Sequence, residues 1–340
     1  MPITYNIVDI RGKAAEPIIE ELLFENDTVG KSLVTFEDDV KAETIFTEAS
    51  ATATLQAYTS GAPTSAGSLN AFDVVVTPAK VQFYQTFDPN SLRFSRFKNS
   101  IKPGAWEILS SEFERVVIGG LYAKKVALAA ENEFWNGVKA ATQTAVAALT
   151  AGTGQTAVGA AEKTLVAALT ASQIDGIVAK MIYNDSNATL TAGVGGRVKV
   201  AGTTITAANI KAEYDKVYAA IPAVALNGNE KPLLYVPKSH KQMIVQANNV
   251  TTDYTKPFQA DASYENIYFN GLKVEFVPLP EKVVIAALKS HLFWCTDLQS
   301  DINKMEINKI ANNREDMFIK NNMSIAAHVA NQAMNVLYVG

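Results

Sequence analysis

Cysteine occurs once in this 340-residue chain, at Cys295. A disulfide framework within the chain is therefore excluded, and a single thiol fits a reducing compartment. Cys295 ends the apolar run Leu292-Phe293-Trp294 and reads as a buried, inert thiol. Histidine occurs three times, at His240, His291 and His328, and none has a second histidine or a cysteine at metal-ligand spacing. The adjacency of Ser239 and His240 carries no information, because catalytic triads are assembled in space. No G-x-S-x-G elbow is present. The glycine loops Gly152-Thr153-Gly154 and Gly193-Val194-Gly195-Gly196 lack the Lys-Ser/Thr of a phosphate loop and read as turns. No catalytic, cofactor-binding or metal-binding residue is expected, and the chain is not expected to be an enzyme. No run of about 18 apolar residues exists, so no membrane-spanning helix is expected. Met1-Pro2-Ile3-Thr4 offers neither a basic nor an apolar leader segment, so no signal peptide is expected. An excess of positive charge is missing too: the net charge is −4, without the global basic footprint of a nucleic-acid binder.

What is present is apolar content and uneven charge. Hydrophobic residues make up 48% of the chain, enough for a substantial core. Residues 1–50 hold eleven acids and four bases, a net of −7 that leaves +3 on the rest. Glu37, Asp38 and Asp39 belong to this acidic segment. Leu92-Arg93-Phe94-Ser95-Arg96-Phe97-Lys98 alternates cations with aromatics, which on a strand puts them on roughly opposite faces. Three readings of Arg93, Arg96 and Lys98 stay open. They form the solvated edge of a half-buried strand, they meet the acidic arm of a second copy, or they contact nucleic acid.

Pattern places the elements. Pro17 to Phe24 reads as a short arm helix. Val34 to Ser60 alternates as a strand rich in Ala, Thr and Ser; Gly61 to Ser68 reads as a polar tip; Phe72 to Phe87 returns as a second strand. Such a hairpin is marginal alone and needs a surface to lie on, for which a second subunit is the natural source. Trp106, Leu109, Phe113, Val117, Leu121, Leu128 and Trp135 fall within an arc of roughly 120° on a helix roughly 45 Å long. Gly119-Gly120 in its middle reads either as close packing against another backbone or as a bend point. Thr144 to Thr150 returns as Thr164 to Thr170, and this Ala/Thr-rich stretch reads as a low-complexity surface insertion. Beyond it come helices over 174–183, 207–220 and 239–247, and strands over 233–236, 272–277 and 283–287. A polar loop occupies 248–266, and the end is strand-rich. The order is that of a mixed α+β fold.

These elements together resemble the major capsid protein of tailed bacteriophages, the Hong Kong 97-like fold. The resemblance rests on their order, on Glu133-Phe134-Trp135-Asn136-Gly137 closing the long helix, on Leu292 to Leu298, and on Arg314 to Tyr338. It implies an N-arm over 1–36 and an extended E-loop over 37–75. It implies a P-domain with a long spine helix over 76–142 plus 300–340, and an A-domain over 143–299. It further implies hexamers and pentamers of an icosahedral virion shell, assembled in the host cytoplasm around double-stranded DNA held without sequence-specific binding. Portal protein and separate scaffolding or decoration proteins would be partners, with no cofactor and no membrane. Glu37, Asp38, Asp39, Arg93, Arg96 and Lys98 become candidate inter-subunit contacts, and Gly119 and Gly120 a candidate spine bend. An encapsulin-like nanocompartment shares the fold; an oligomeric enzyme with no recognisable site is the alternative of another class.

Overall fold

A computed structural model describes residues 27–40, 43–58, 60–61, 64–87, 122, 124–155, 157–183, 197–250, 256–297, 305–310 and 316–340. The arm helix, Arg93, Arg96, Lys98, Gly119, Gly120 and most of the long helix lie outside the described residues.

Apolar runs without alternation make strands buried on both faces, and the centre of the larger sheet is built that way. Leu233–Pro237 (β8) and Val283–Ala287 (β12) lie side by side and are almost wholly buried. Among the described residues the sheet has seven strands. Its order runs from Val198–Ala201 (β7) through Val336–Val339 (β16), β12, β8, Leu272–Val277 (β11) and Ile267–Phe269 (β10) to Gln259–Ala260 (β9). The helix Ile210–Ala220 covers it with Ile210, Tyr214 and Val217, an i, i+4, i+7 stripe of fully buried side chains. Tyr214, Phe258 and Phe269 meet there at ring distances of 5.1–5.6 Å. Phe258 corrects the expected polar loop over 248–266. It is fully buried, and the Asn248 side chain both donates to its carbonyl (3.1 Å) and accepts from its N–H (3.2 Å). One amide thereby satisfies a backbone that would otherwise enter the core unpaired.

In the same core the Tyr214 hydroxyl meets His240 Nδ1 at 2.9 Å, and His240 Nε2 lies 2.9 Å from the Glu281 carbonyl. The geometry fits a neutral ring, with Nε2–H donating to the carbonyl and Nδ1 accepting from the tyrosine. Burial holds the His240 pKa below its ordinary value, although the Glu281 carbonyl pulls it upward. The unfolded chain therefore takes up a proton that the folded chain resists as pH falls through about 6.5. Stability is predicted to fall between pH 7.5 and 5.5. In urea melts, His240→Gln should lose less over that interval than the wild type does; an identical loss in both would rule His240 out as a cause.

A second sheet, five-stranded among the described residues, is organised by one long strand, Met317–Val329 (β15). Along one edge it pairs antiparallel with Met305–Lys309 (β14) and then with Leu292–Thr296 (β13). Along the other it pairs with Ala79–Phe87 (β4). Thr35–Glu37 (β1) joins β13 in parallel. Thus β13, from the span assigned to the A-domain, sits in the sheet with β4 and β14. Conversely β16, from the P-domain span, closes into the seven-stranded sheet.

One core joins the two sheets. The helix Lys124–Asn136, in the last part of the span expected to be one long helix, buries Ala127, Phe134 and Trp135. Phe134 stacks on Trp294 of the smaller sheet at 4.4 Å, while Trp135 meets Tyr235 of the larger one at 5.3 Å. The expected apolar face needs correction at Leu128, which is 53% exposed. At 100° per residue, Ala127, Glu131, Phe134 and Trp135 define the buried line and Leu128 falls just past its solvent edge. Glu131 keeps its place on that line because Thr28 hydrogen-bonds to it.

The Ala/Thr-rich echo is also more than a surface insertion. Its copies form the helices Ala140–Ala148 and Ala160–Ala168. Val146 and Val166, equivalent in the two copies, are each 1% exposed and belong to the same core as Trp135. Thr144 and Thr164 bond the carbonyl four residues back in both copies, and both helices end as the chain turns extended at Leu149 and Leu169. Small residues between the valines let the two helices approach closely.

Candidate assembly surfaces

From Thr28 to Val40 the described N-terminal segment is fixed to the body at successive points. Thr28, fully buried, donates from its N–H to Glu131 Oε1 (3.0 Å) and from its hydroxyl to the same oxygen, while Trp135 Nε1 donates to that hydroxyl (2.9 Å). The Tyr235 hydroxyl donates to the Leu33 carbonyl at 2.6 Å. Glu37 then pairs in register with Cys295, and the Val40 N–H donates to the Thr296 carbonyl at 3.0 Å. Burial pushes the Cys295 thiol up to about 12, so it stays protonated and unreactive. Asp38 and Asp39 turn outward and are exposed, with Asp39 in the left-handed region at φ 62°. The structure thus places the three acidic candidates together at one bend; their proposed basic counterparts lie outside the described residues.

From this bend the chain leaves the body. Thr44–Ala53 (β2) and Gly67–Val76 (β3) pair antiparallel over ten residues, from Thr44 opposite Val76 to Ala53 opposite Gly67. At about 3.4 Å per residue the ribbon is on the order of 30 Å long. Its base docks through one face only. Phe46 stacks on His328 at 5.0 Å and meets Phe293 at 5.3 Å, and Val76 is buried with Val40, Cys295 and Ala326. The expected second strand is interrupted at Thr77-Pro78, where the chain leaves β2 and takes up β15 as its partner. Proline has no N–H to continue a ladder, which suits such a change of partner.

Among the described residues nothing covers the opposite face of the ribbon. Ile45 is 61% exposed, its cross-strand partner Val75 47%, and Leu69 73%. Ala49 and Ala71 lie between them, and one polar pair, Thr47 donating to Asp73 at 2.7 Å, interrupts the stripe. The strand expected to run to Ser60 ends at Ala53, and beyond it Leu55 and Tyr58 project fully into solvent. The tip is nonetheless built: the Thr54 N–H donates to the Ala66 carbonyl (2.9 Å) and Gln56 Nε2 to the Thr64 carbonyl (2.7 Å). A long ribbon with an apolar outer face is an uncommon surface for a chain that works alone. Sequence alternation located the ribbon; which of its faces was free depended on the docking of Phe46 and Val76.

Among the described residues no three His, Cys, Asp or Glu side chains are grouped to hold a metal ion, and no helix is long and apolar enough to cross a membrane. His291 Nδ1 lies 3.2 Å from Asn335 Oδ1, and His328 is buried beneath Phe46.

No protein-family model matches the chain, and no curated protein matches it by sequence. Solved structures do match. A chain of the satellite phage P4 procapsid including size determination (Sid) protein aligns over 98% of this chain and 93% of its own length, with a TM-score of 0.57 and 12% identity. A chain from the capsid of the native GTA particle aligns over 100% and 94%, with a TM-score of 0.52 and 10% identity. A Mycobacterium phage Ogopogo chain aligns over 90% of each, with a TM-score of 0.50 and 11% identity. The expected resemblance therefore holds in three dimensions over nearly the whole chain: this protein has the α+β fold of phage capsid proteins.

Proposed function

We propose that this chain is a shell subunit, and that copies of it form the hexamers and pentamers of an icosahedral phage head enclosing double-stranded DNA. The observation that carries the reading is the β2–β3 ribbon, anchored by one face at its base and apolar along the other. A surface of that kind is stabilised when a neighbouring copy covers it, and a capsid-like fold supplies the neighbour. In this reading residues 1–36 are the N-arm, 37–75 the E-loop, 76–142 with 300–340 the P-domain and 143–299 the A-domain. Portal, scaffolding or decoration proteins join the shell, the DNA is held without sequence-specific contacts, and assembly takes place in the host cytoplasm. Negative-stain microscopy of the purified full chain across salt conditions should show closed shells or capsomer rings. A monodisperse monomer under every condition and at high concentration would reject the proposal.

The acidic bend at Glu37, Asp38 and Asp39 faces Arg93, Arg96 and Lys98 of a neighbour in this arrangement. Replacing those three bases with alanine should cut particle yield most at low salt, with the deficit shrinking as salt rises, because screening weakens the same exposed pairs in the wild type. Unchanged yield at all salt concentrations would return the cluster to a solvated strand edge.

A further inference from the structure

Among the described residues the larger sheet ends at β9 on one side and at β7 on the other. β9 is two residues long and offers little ladder to another strand. β7 is four residues long, Val198–Ala201, and pairs with β16 in parallel along one side. In that ladder the Val198 and Gly202 N–H groups donate to the Asn335 and Val339 carbonyls. Alternation therefore turns the N–H and C=O groups of Lys199 and Ala201 the other way, out from the sheet. An open row of that kind is a template on which a further strand can pair.

The chain meets this edge with a side chain. Gln155, in the loop between the two Ala/Thr-rich helices, accepts from the Lys199 N–H through Oε1 (2.6 Å) and donates from Nε2 to the Lys199 carbonyl (3.0 Å). A primary amide carries the same donor and acceptor as a peptide group. The two bonds are those that a residue of an antiparallel strand would exchange with Lys199. Lys199 does not protect the edge by itself. A charge held out into solvent is a common guard of edge strands, but this side chain is only 10% exposed, and its Nζ turns back to the Gly152 and Ala157 carbonyls at 3.2 and 3.1 Å. Gln155 is itself exposed, so its bonds add little to the core; what they change is the availability of the edge. We propose that Gln155 is an edge guard, whose amide takes the place of a strand beside Lys199 and keeps the β7 of a second copy from pairing there. Two open β7 edges are self-complementary, so copies without the guard join edge to edge. The guard acts on the single chain and does not depend on the shell reading.

The test compares the full wild-type chain with Gln155→Ala, Gln155→Lys and Gln143→Ala. Gln143 is the control: it too ties the two Ala/Thr-rich helices to backbone, donating to the Val166 carbonyl at 3.2 Å, but away from the edge. Native-state hydrogen exchange should show the Lys199 amide opening about tenfold faster or more in Gln155→Ala. Thioflavin fluorescence at equal protein concentration should show β-rich aggregate forming about tenfold faster than in the wild type, with micrographs separating that aggregate from shells or rings. Gln143→Ala should stay within about twofold of the wild type. Gln155→Lys loses the same two bonds but returns a solvated charge to the edge. Its Lys199 amide should open as fast as in Gln155→Ala, while its aggregation stays at the wild-type rate. A role confined to holding the loop in place predicts that the alanine and lysine variants aggregate alike. That result overturns the proposal. So does Gln155→Ala aggregating no faster than Gln143→Ala, or a Lys199 amide that opens no faster without the Gln155 side chain.

Discussion

Replacing Glu162 with glutamine should lower the free energy of unfolding by about 3–5 kcal/mol, the usual cost of removing one member of a buried ion pair. Glu162 is 1% exposed and lies between two cations. Arg197 Nη2 donates to its Oε1, Lys199 Nζ stands 3.3 Å from its Oε2, and the Gly159 N–H donates to Oε2 at 2.7 Å, capping the helix Ala160–Ala168. Arg197 is itself 2% exposed, and among the described residues its Nε and Nη1 have no partner, so there the carboxylate is what compensates the guanidinium charge. Glutamine keeps the volume and can keep part of the cap, but it removes the charge and strands both cations in the interior. Denaturant melts of the wild type and Glu162→Gln measure the difference directly. A loss below about 1 kcal/mol, the range of exposed pairs, would show that the cluster is hydrated and not a buried clasp. Glu162→Leu combined with Arg197→Met should recover much of the loss, since buried ion pairs are often replaceable by apolar groups of similar volume. The clasp fastens the two Ala/Thr-rich helices to β7, the edge of the larger sheet, so the expected change is in folding and not in a contact between copies.

The second large effect is the reverse: assembly lost, fold kept. Ile45→Lys with Leu69→Lys puts two charges on the free face of the ribbon. Both sites are more than 60% exposed, so the subunit's melting behaviour should stay within about 0.5 kcal/mol of wild type. Particle yield should fall by an order of magnitude or more, because each lysine must be desolvated against whatever covers that face. Phe46→Ala is the matching control on the docked face. It removes the ring that stacks on His328 and packs on Phe293, and should cost about 3 kcal/mol or somewhat less, since Phe46 is only partly buried. Sedimentation and microscopy read the first variant, and denaturant melts the second. Normal particles from the double lysine variant would mean that the outer face is not an interface.

Much of this was legible from residue order. Alternation with β-branched residues marked β2 and β3, and the proline at 78 sits where the ribbon ends. Unbroken apolar runs marked β8 and β12 as strands; their central place in the sheet came with the structure. The Cys295 thiol could be read as inert from its apolar neighbours. Other features carried no local signal. Glu131 looks like an ordinary helix-surface acid, since its partner Thr28 is 103 residues away. Glu162 and Arg197 are 35 residues apart and become a pair only when the Ala/Thr-rich helices fold back on β7. Leu128 counted as a core residue while the helix was read alone; contact with two sheets at once set the rotation that turned it outward.

The sequence by itself determined where the principal strands and several of the helices lie, that the chain has the apolar content for a large core, and that one hairpin is too poor in large apolar residues to have a core of its own. Periodicity is a local property, and those conclusions need only neighbours along the chain. The tertiary structure alone decided which ribbon face is docked, which is left uncovered among the described residues, and where buried charges find their partners. Each depends on residues brought together from distant parts of the chain, and the burial that gives them their energies exists only after the two sheets close on a common core.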